Sequence, residues 1–135
     1  MTEDRSPGTD ALFRHAPYDY GTLVAQGAIV FTAGACPLDP DGVVVAPGDH
    51  AVQAAVAVQN LALALARFGA RLEHLVKTTV YVVGERRDLV AVWDVVAEAL
   101  APHRPPSTLL GVSVLGYPDQ LVEIEGVAVI PDATS

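Results

Sequence analysis

Two carboxylates stand two residues apart in an apolar stretch near the end of the sequence. Glu123 and Glu125 alternate with apolar residues, which is the period of a β-strand, so both side chains should point to one face. A charge among apolar neighbours is costly unless it is paired or partly solvated. One interpretation is a carboxylate at a pocket edge that transfers a proton. The other is an ion pair at a subunit interface, with Lys77 or Arg104. For Glu123 both stay open, whereas for Glu125 the ion pair is favoured.

The remaining reactive side chains form no recognisable site. Cys36, the single cysteine, precedes Pro37 in an apolar stretch, so a small buried side chain is favoured over a reactive thiol. No two histidines stand at i, i+4, and none pairs with Cys36 at a metal-ligand spacing. The sequence also has no phosphate-binding loop and no dinucleotide fingerprint. We therefore expect neither a metal nor a cofactor.

Length and charge restrict the class of protein. The 135 residues suit one domain, and 51% of them are hydrophobic, which is enough for a core. The net charge of −8 repels phosphate-rich partners, so we expect no nucleic-acid partner. No apolar run is long enough to cross a bilayer, and one cysteine agrees with a reducing compartment, so we expect a cytoplasmic protein without a membrane partner. We expect a flexible arm over residues 1–15, one domain over 16–131 and a tail over 132–135.

Periodicity and turn residues predict seven elements in the order ββ-α-β-α-ββ. The predicted elements are a hairpin within residues 22–33, a helix over 52–68 capped by Asp49 and ended by Gly69, a strand over 75–83, a helix from Asp88 to about Leu100, and strands over 107–115 and 121–130. The first helix is apolar over a wide arc, which predicts that little of it meets water.

Strands joined through helices indicate an α+β domain with both helices on one face of a mixed sheet. We expect the second face to be apolar as well, carrying Thr79, Tyr81, Val83, Val122, Ile124 and Ala128. A monomer would leave that face in water, so we expect an oligomer.

Three stretches together resemble the Rid family (YjgF/YER057c/UK114, the reactive-intermediate deaminases). They are Phe31-Thr32-Ala33-Gly34-Ala35-Cys36-Pro37 beside the family's "ftSGqiP", Val76-Lys77-Thr78-Thr79-Val80-Tyr81-Val82 beside "VKTTVFV", and Val122-Glu123-Ile124-Glu125-Gly126-Val127-Ala128-Val129 beside "vEIEaiAV". Gln53 and Asn60 also stand where the family's first helix has Gln and Asn. The stretches occur in family order and spacing, and the match covers residues 16–130.

The resemblance implies a chorismate-mutase-like α+β fold assembled as a homotrimer, with small-molecule pockets at the subunit interfaces. It further implies cofactor-free hydrolysis of reactive enamines or imines, such as 2-aminoacrylate, to a 2-keto acid and ammonia. In that mechanism an arginine forms a bidentate hydrogen bond with the substrate carboxylate. A water, helped by a carboxylate on the last strand, adds to the imine carbon.

Carried over position by position, the resemblance is incomplete. Glu123 falls on the family's acidic residue, which makes it the candidate catalytic residue. The position of the family's arginine holds Ser107, and Arg104, three residues upstream, would lie about 10 Å away on the opposite face of an extended chain. The chain therefore resembles a subgroup without the substrate-binding arginine.

Five residues are candidates for substrate binding. They are Ser107, Tyr18 in a Pro-Tyr segment, Trp93 in place of an asparagine, Leu109 two residues after Ser107, and Cys36 in the first matched stretch. Ser107, Leu109 and Trp93 together suggest a larger and less charged pocket than that of a typical member. Two hypotheses follow, a hydrolytic deaminase or related water-adding enzyme on an atypical substrate, and a non-catalytic trimer that binds a metabolite or acts as a scaffold.

Overall fold

A computed structural model describes residues 11–131 and shows two long helices on a sheet of four strands. The elements are β1 (Ala28–Phe31), α1 (His50–Ala66), a short 3-10 helix (Leu72–His74), β2 (Leu75–Val83), α2 (Arg86–Leu100), β3 (Ser107–Val112) and β4 (Val122–Ile130). The predictions for residues 1–10 and 132–135 lie outside the described residues.

The sheet is mixed, with the strand order β1-β4-β2-β3. β4 runs antiparallel to both β1 and β2, whereas β2 and β3 are parallel because α2 forms the crossover between them. α1 packs on β4, α2 packs on β2 and β3, and the two helices contact each other. The predicted α+β class, with both helices on one face of a mixed sheet, is confirmed.

Both ends of α1 lie where the sequence predicts them. The Asp49 side chain accepts a hydrogen bond from the Val52 N–H at 3.0 Å, which satisfies a free donor of the first turn. At the other end Gly69 has a φ of +77°. Its N–H donates to the Ala66 carbonyl, and the N–H of the next residue donates to the Leu65 carbonyl. This is the Schellman pattern that favours glycine.

The exposed side of α1 corrects one expectation. The buried face of the helix is a narrow stripe that consists of Gln53, Ala54, Ala57, Val58, Leu61 and Leu65. Val52 and Leu63 are 45% and 67% exposed, so the prediction that little of α1 meets water is wrong. The alanines let the helix lie close to the sheet, which covers a single stripe of it.

Three predicted element bounds also change. Residues 23–25 form no strand, Leu23 is 95% exposed, and β1 pairs with β4 rather than with a hairpin partner. α2 begins at Arg86, with Glu85 as its N-cap, and Asp88 accepts the Glu85 N–H from within the first turn at 2.8 Å. β3 ends at Val112, before the predicted bound.

The register of β2 with β4 shows which side chains share a face of the sheet. Val80 pairs with Ile124 and Val82 with Val122, and all four are fully buried beneath the helices. Val122, Ile124 and Ala128 therefore lie on the helix side, and their prediction on the second face is wrong. The open face instead carries Tyr81, both β4 carboxylates and the exposed side chains of β1.

Candidate functional site

Glu123 lies on the open face of β4, directly across from Tyr81 of β2, and its side chain is half-buried. Its Oε1 accepts two hydrogen bonds, from Cys36 Sγ at 3.1 Å and from Gln120 Nε2 at 3.2 Å. Within residues 11–131 no basic side chain approaches Glu123 to ion-pair distance. Lys77 and Arg104, the partners considered from the sequence, donate to Thr108 Oγ1 and to the Ala16 carbonyl instead.

Cys36 is a hydrogen-bond donor in this cluster. Burial raises the pKa of its thiol to about 11, and the hydrogen bond to the Glu123 carboxylate adds to the rise. The thiol is therefore protonated at neutral pH, which does not suit a nucleophile. Asn60 of α1 fixes the backbone here, because its Nδ2 donates to the Cys36 carbonyl at 2.8 Å.

Gly34 gives the Glu123 carboxylate its space. A Cβ added at Gly34 would lie 2.3 Å from Glu123 Oε2, a distance that no side chain tolerates. Backbone hydrogen bonds in both directions between Ala35 and Ile124 hold this loop against β4. The observed position of the carboxylate therefore requires a residue without a Cβ at this point of the loop.

Glu125, the second carboxylate, has a different environment. The Tyr81 hydroxyl donates to Glu125 Oε1 at 2.5 Å, and this hydrogen bond is the largest cause that raises the pKa of Tyr81. Like Glu123, Glu125 makes no ion pair among the described residues. Within residues 11–131 the partner of Glu125 is thus a phenol, and the ion pair at a subunit interface stays a prediction.

Four of the candidate substrate-binding residues lie together on the other side of the sheet. Two adjoining cavities, of about 370 and 480 Å³, share Pro17, Trp93 and Ser107 in their walls. We call them together the Ser107 cleft. Tyr18 and Leu109 line the larger cavity. The Tyr18 ring stands edge-on to Trp93, with 6.3 Å between the ring centroids.

The smaller cavity of the Ser107 cleft carries basic groups that the sequence analysis did not place there. His15, His103 and Arg104 line it together with Ser107. Arg104 lies before β3 begins, so the alternation of side chains along a strand does not decide where it points. Its guanidinium donates to the Ala16 carbonyl. The expectation that Arg104 lies away from Ser107, on the opposite face of an extended chain, is therefore wrong, because both residues line the same cavity.

Ser107 itself is engaged in hydrogen bonds within the chain. Its Oγ lies 2.6 Å from Thr78 Oγ1 and donates to the Pro105 carbonyl at 2.9 Å. The hydroxyl therefore ties the start of β3 to β2. A ligand in the cleft would therefore contact Ser107 as a wall residue whose hydroxyl is already hydrogen-bonded within the chain.

The two clusters lie on opposite faces of the sheet. Ser107 pairs with Thr78, which points to the helix side, and Glu123 pairs with Tyr81, which points to the open side. Cys36 is hydrogen-bonded to Glu123 and belongs to the second cluster. One copy of the chain therefore does not bring the catalytic candidate and the Ser107 cleft into a single pocket.

Gln120 is a functional candidate that the sequence does not predict. It is 3% exposed and follows a turn in which Asp119 has a φ of +66°. In a straight strand, residues three apart point to opposite faces, so the contact with Glu123 depends on this turn. The periodicity of the sequence carries no signal for such a contact.

The described residues show neither a metal cluster nor a membrane span. No group of three or more histidine, cysteine, aspartate or glutamate side chains in residues 11–131 is arranged to hold a metal ion. Over the same residues, neither helix has the length and hydrophobicity required to cross a bilayer.

The family of the chain follows from comparison with known proteins. The family model described as Endoribonuclease L-PSP matches residues 10–130. The chain belongs to the Rid (YjgF/YER057c/UK114) family. A RutC family protein of Synechocystis is 36% identical over 118 residues, covering 83% of this chain and 86% of that protein. A RutC family protein of Pyrococcus abyssi is 30% identical over 109 residues, covering 81% and 84%.

Solved structures of Rid proteins share the fold of this Rid chain. A Rid protein of unknown function from Yersinia pestis, YyfB, gives a TM-score of 0.83 at 23% identity, covering 93% of this chain and 98% of that one. Escherichia coli TdcF with bound serine gives 0.69 at 26% identity, covering 86% and 90%. These structures support the fold predicted from the three matched stretches.

Proposed function

We propose that this Rid protein is a hydrolase that adds water to the C=N bond of an imine, or of the imine tautomer of an enamine. The observation that carries the proposal is the environment of Glu123. One carboxylate oxygen is fixed by two donors, while Oε2 accepts no hydrogen bond from residues 11–131. A positioned carboxylate with a free oxygen is suited to general-base chemistry.

The reaction can be balanced with Glu123 alone as the base. Oε2 takes a proton from water while the water oxygen bonds to the imine carbon, and the C=N electron pair moves to nitrogen. The carboxyl group then gives that proton to the nitrogen, which forms a carbinolamine. In the second half of the reaction the carboxylate takes the hydroxyl proton and passes it to the nitrogen. The oxygen becomes a carbonyl as the C–N bond breaks, and ammonia leaves.

Ser107 and its surroundings limit the substrate class. A bidentate hydrogen bond between an arginine and a carboxylate is charge-assisted. Its loss should weaken the binding of a free 2-imino acid by about two or more orders of magnitude. The Ser107 cleft offers Trp93 and Leu109 to an apolar substrate body. Arg104 also lines the cleft, but its guanidinium already donates to the Ala16 carbonyl. We therefore propose an imine or enamine that is bulkier than 2-aminoacrylate and relies less on a carboxylate clamp. The serine bound to TdcF supports a small amino-acid-derived ligand in this fold.

We further propose that the pocket is formed between copies of the chain in a homotrimer. Glu123 and the Ser107 cleft lie on opposite faces of the sheet, so a shared pocket needs Glu123 from one copy and Ser107 from the next. A closed ring of identical, head-to-tail contacts produces such a pairing at each interface.

The proposal is tested by ammonia release from imines generated in the assay, by a flavin amine oxidase from primary amines with apolar side chains and by an amino-acid oxidase from the corresponding amino acids. Glu123→Gln should lower kcat/KM by about 10²- to 10⁴-fold, because a general base contributes that much. Glu125→Gln is the matched control on the same face and should retain most of the activity. A Glu123→Gln protein as active as the wild type would contradict the proposal.

The alternative is a non-catalytic trimer that binds a metabolite or acts as a scaffold, and Ser107 at the position of the family's arginine favours it. Turnover of 2-aminoacrylate at a rate typical of Rid deaminases would rule it out. Ribonuclease activity, which the family model's description names, ranks third because the net charge is −8. RNA cleavage by the purified protein, lost on Glu123→Gln, would restore it.

A further inference from the structure

The two donors on Glu123 reach it from separate parts of the chain and choose the same oxygen. Cys36 lies in the loop after β1, and Gln120 lies in the turn before β4. Both donate to Oε1, at 3.1 and 3.2 Å. Two donors on one carboxylate oxygen fix the plane of the group as well as its position.

Gln120 is itself held rigidly. Its Nε2 also donates to the Val122 carbonyl at 3.1 Å, and its Oε1 accepts the Tyr117 N–H at 3.1 Å. With 3% of its surface exposed, the amide cannot move without breaking a buried hydrogen bond. Cys36 is fixed less tightly, because its single thiol proton has a second acceptor, the Gly34 carbonyl, at 3.6 Å from Sγ.

The other titratable groups near Glu123 are occupied elsewhere. Tyr81, which pairs with Glu123 across β2 and β4, donates its hydroxyl hydrogen bond to Glu125 Oε1 at 2.5 Å. Gly34 faces Oε2 without a side chain. Oε2 is thus the oxygen of Glu123 that remains free for a ligand or water.

We propose that Cys36 and Gln120 are positioning residues that hold Glu123 Oε1 and thereby select Oε2 as the atom that takes the proton from water. The inference rests on the hydrolase function proposed above and adds the residues that orient its base. Cys36 acts as a neutral donor and forms no covalent bond to the substrate.

Activity measurements test the effect on the base. Cys36→Ala and Gln120→Met each remove one donor and should lower kcat on the imine panel by about ten- to hundredfold with little change in KM, since a misplaced base reduces the chemical step. Cys36→Ser keeps a donor and should stay within about threefold of wild type. Equal losses in the alanine and serine variants, or unchanged kcat in both Cys36→Ala and Gln120→Met, would overturn the proposal.

A second measurement does not depend on turnover. Cys36 is the one cysteine of the chain, so the ultraviolet absorbance of its thiolate, taken as the difference from Cys36→Ala, reports on it alone. The wild-type thiol should titrate near pH 11, and in Glu123→Gln its pKa should fall toward 9.0. An unchanged titration would show that the contact does not exist.

The two proposals can fail separately. If the wild type is active and depends on Glu123 while Cys36→Ala and Gln120→Met match it, the positioning role is wrong and the hydrolase stands. If the wild type hydrolyses none of the imines, both proposals are overturned, whatever the thiol titration shows.

Discussion

The Cys36 thiol should make stability depend on pH in the alkaline range. Its pKa is about 11 in the folded protein against an ordinary 9.0. A neutral group whose pKa is raised by folding stabilises the fold below pH 9, and this contribution is lost as the pH rises toward 11. The pKa of Tyr81 is also raised in the folded protein, so its ionisation lowers stability at alkaline pH as well. Because wild type and Cys36→Ala both contain Tyr81, this effect cancels in their difference.

Denaturant unfolding of wild type and Cys36→Ala checks this prediction. The difference between their free energies of unfolding should shrink by about 1 kcal/mol between pH 9 and pH 11, a value lowered for solvent screening of a half-buried thiol. A difference that stays constant over this range would mean that folding does not raise the pKa of the thiol.

At the scale of the element, α1 offers a matched pair of leucines. Leu61 is fully buried against the sheet, whereas Leu63 is 67% exposed. Leu61→Ala should lower the free energy of unfolding by about 2–5 kcal/mol, because it leaves a cavity in the core. Leu63→Ala should change it by no more than about 0.5 kcal/mol. Equal losses in urea titrations would mean that the exposed side of α1 is covered in solution.

The strand-loop contact at Gly34 gives a second element-scale prediction. Gly34→Ala places a methyl group where Glu123 Oε2 lies, so the carboxylate must move and imine turnover should fall by about tenfold or more. Gly116→Ala is the control, because its added Cβ meets nothing within 4 Å. Full activity in Gly34→Ala would show that the carboxylate does not need its observed position.

The helices and long strands could be predicted from sequence because each has a local signal. Asp49 and Gly69 mark the ends of α1, and the alternation in β2 fixes both of its faces. The strand predicted within residues 23–25 does not form, and β1, its expected hairpin partner, pairs with the distant strand β4. Local periodicity carries no information about such long-range pairing. Gln120 and Arg104 reach their sites through turns, and periodicity carries no information about such paths.

At the scale of the whole molecule, the open face of the sheet should hold the subunits together. Phe31 and Ile29 are 74% and 55% exposed on the edge strand β1, and such a surface is typical of an interface. Phe31→Glu should shift the mass measured by light scattering from trimer toward monomer. Leu63→Glu, on the exposed side of α1, should leave the trimer intact. A Phe31→Glu protein that keeps the wild-type mass would place the interface elsewhere.

The central claim is that Glu123 of one copy acts on a substrate held in the Ser107 cleft of another, and subunit mixing tests it most directly. Glu123→Gln and Ser107→Leu proteins, each inactive alone and each shown to fold by circular dichroism, are unfolded together at equal amounts and refolded. About a quarter of wild-type imine turnover should return, because one interface in four joins an intact glutamate to an intact cleft. No recovery, from mixed trimers whose formation is verified by mass, would contradict a pocket shared between copies.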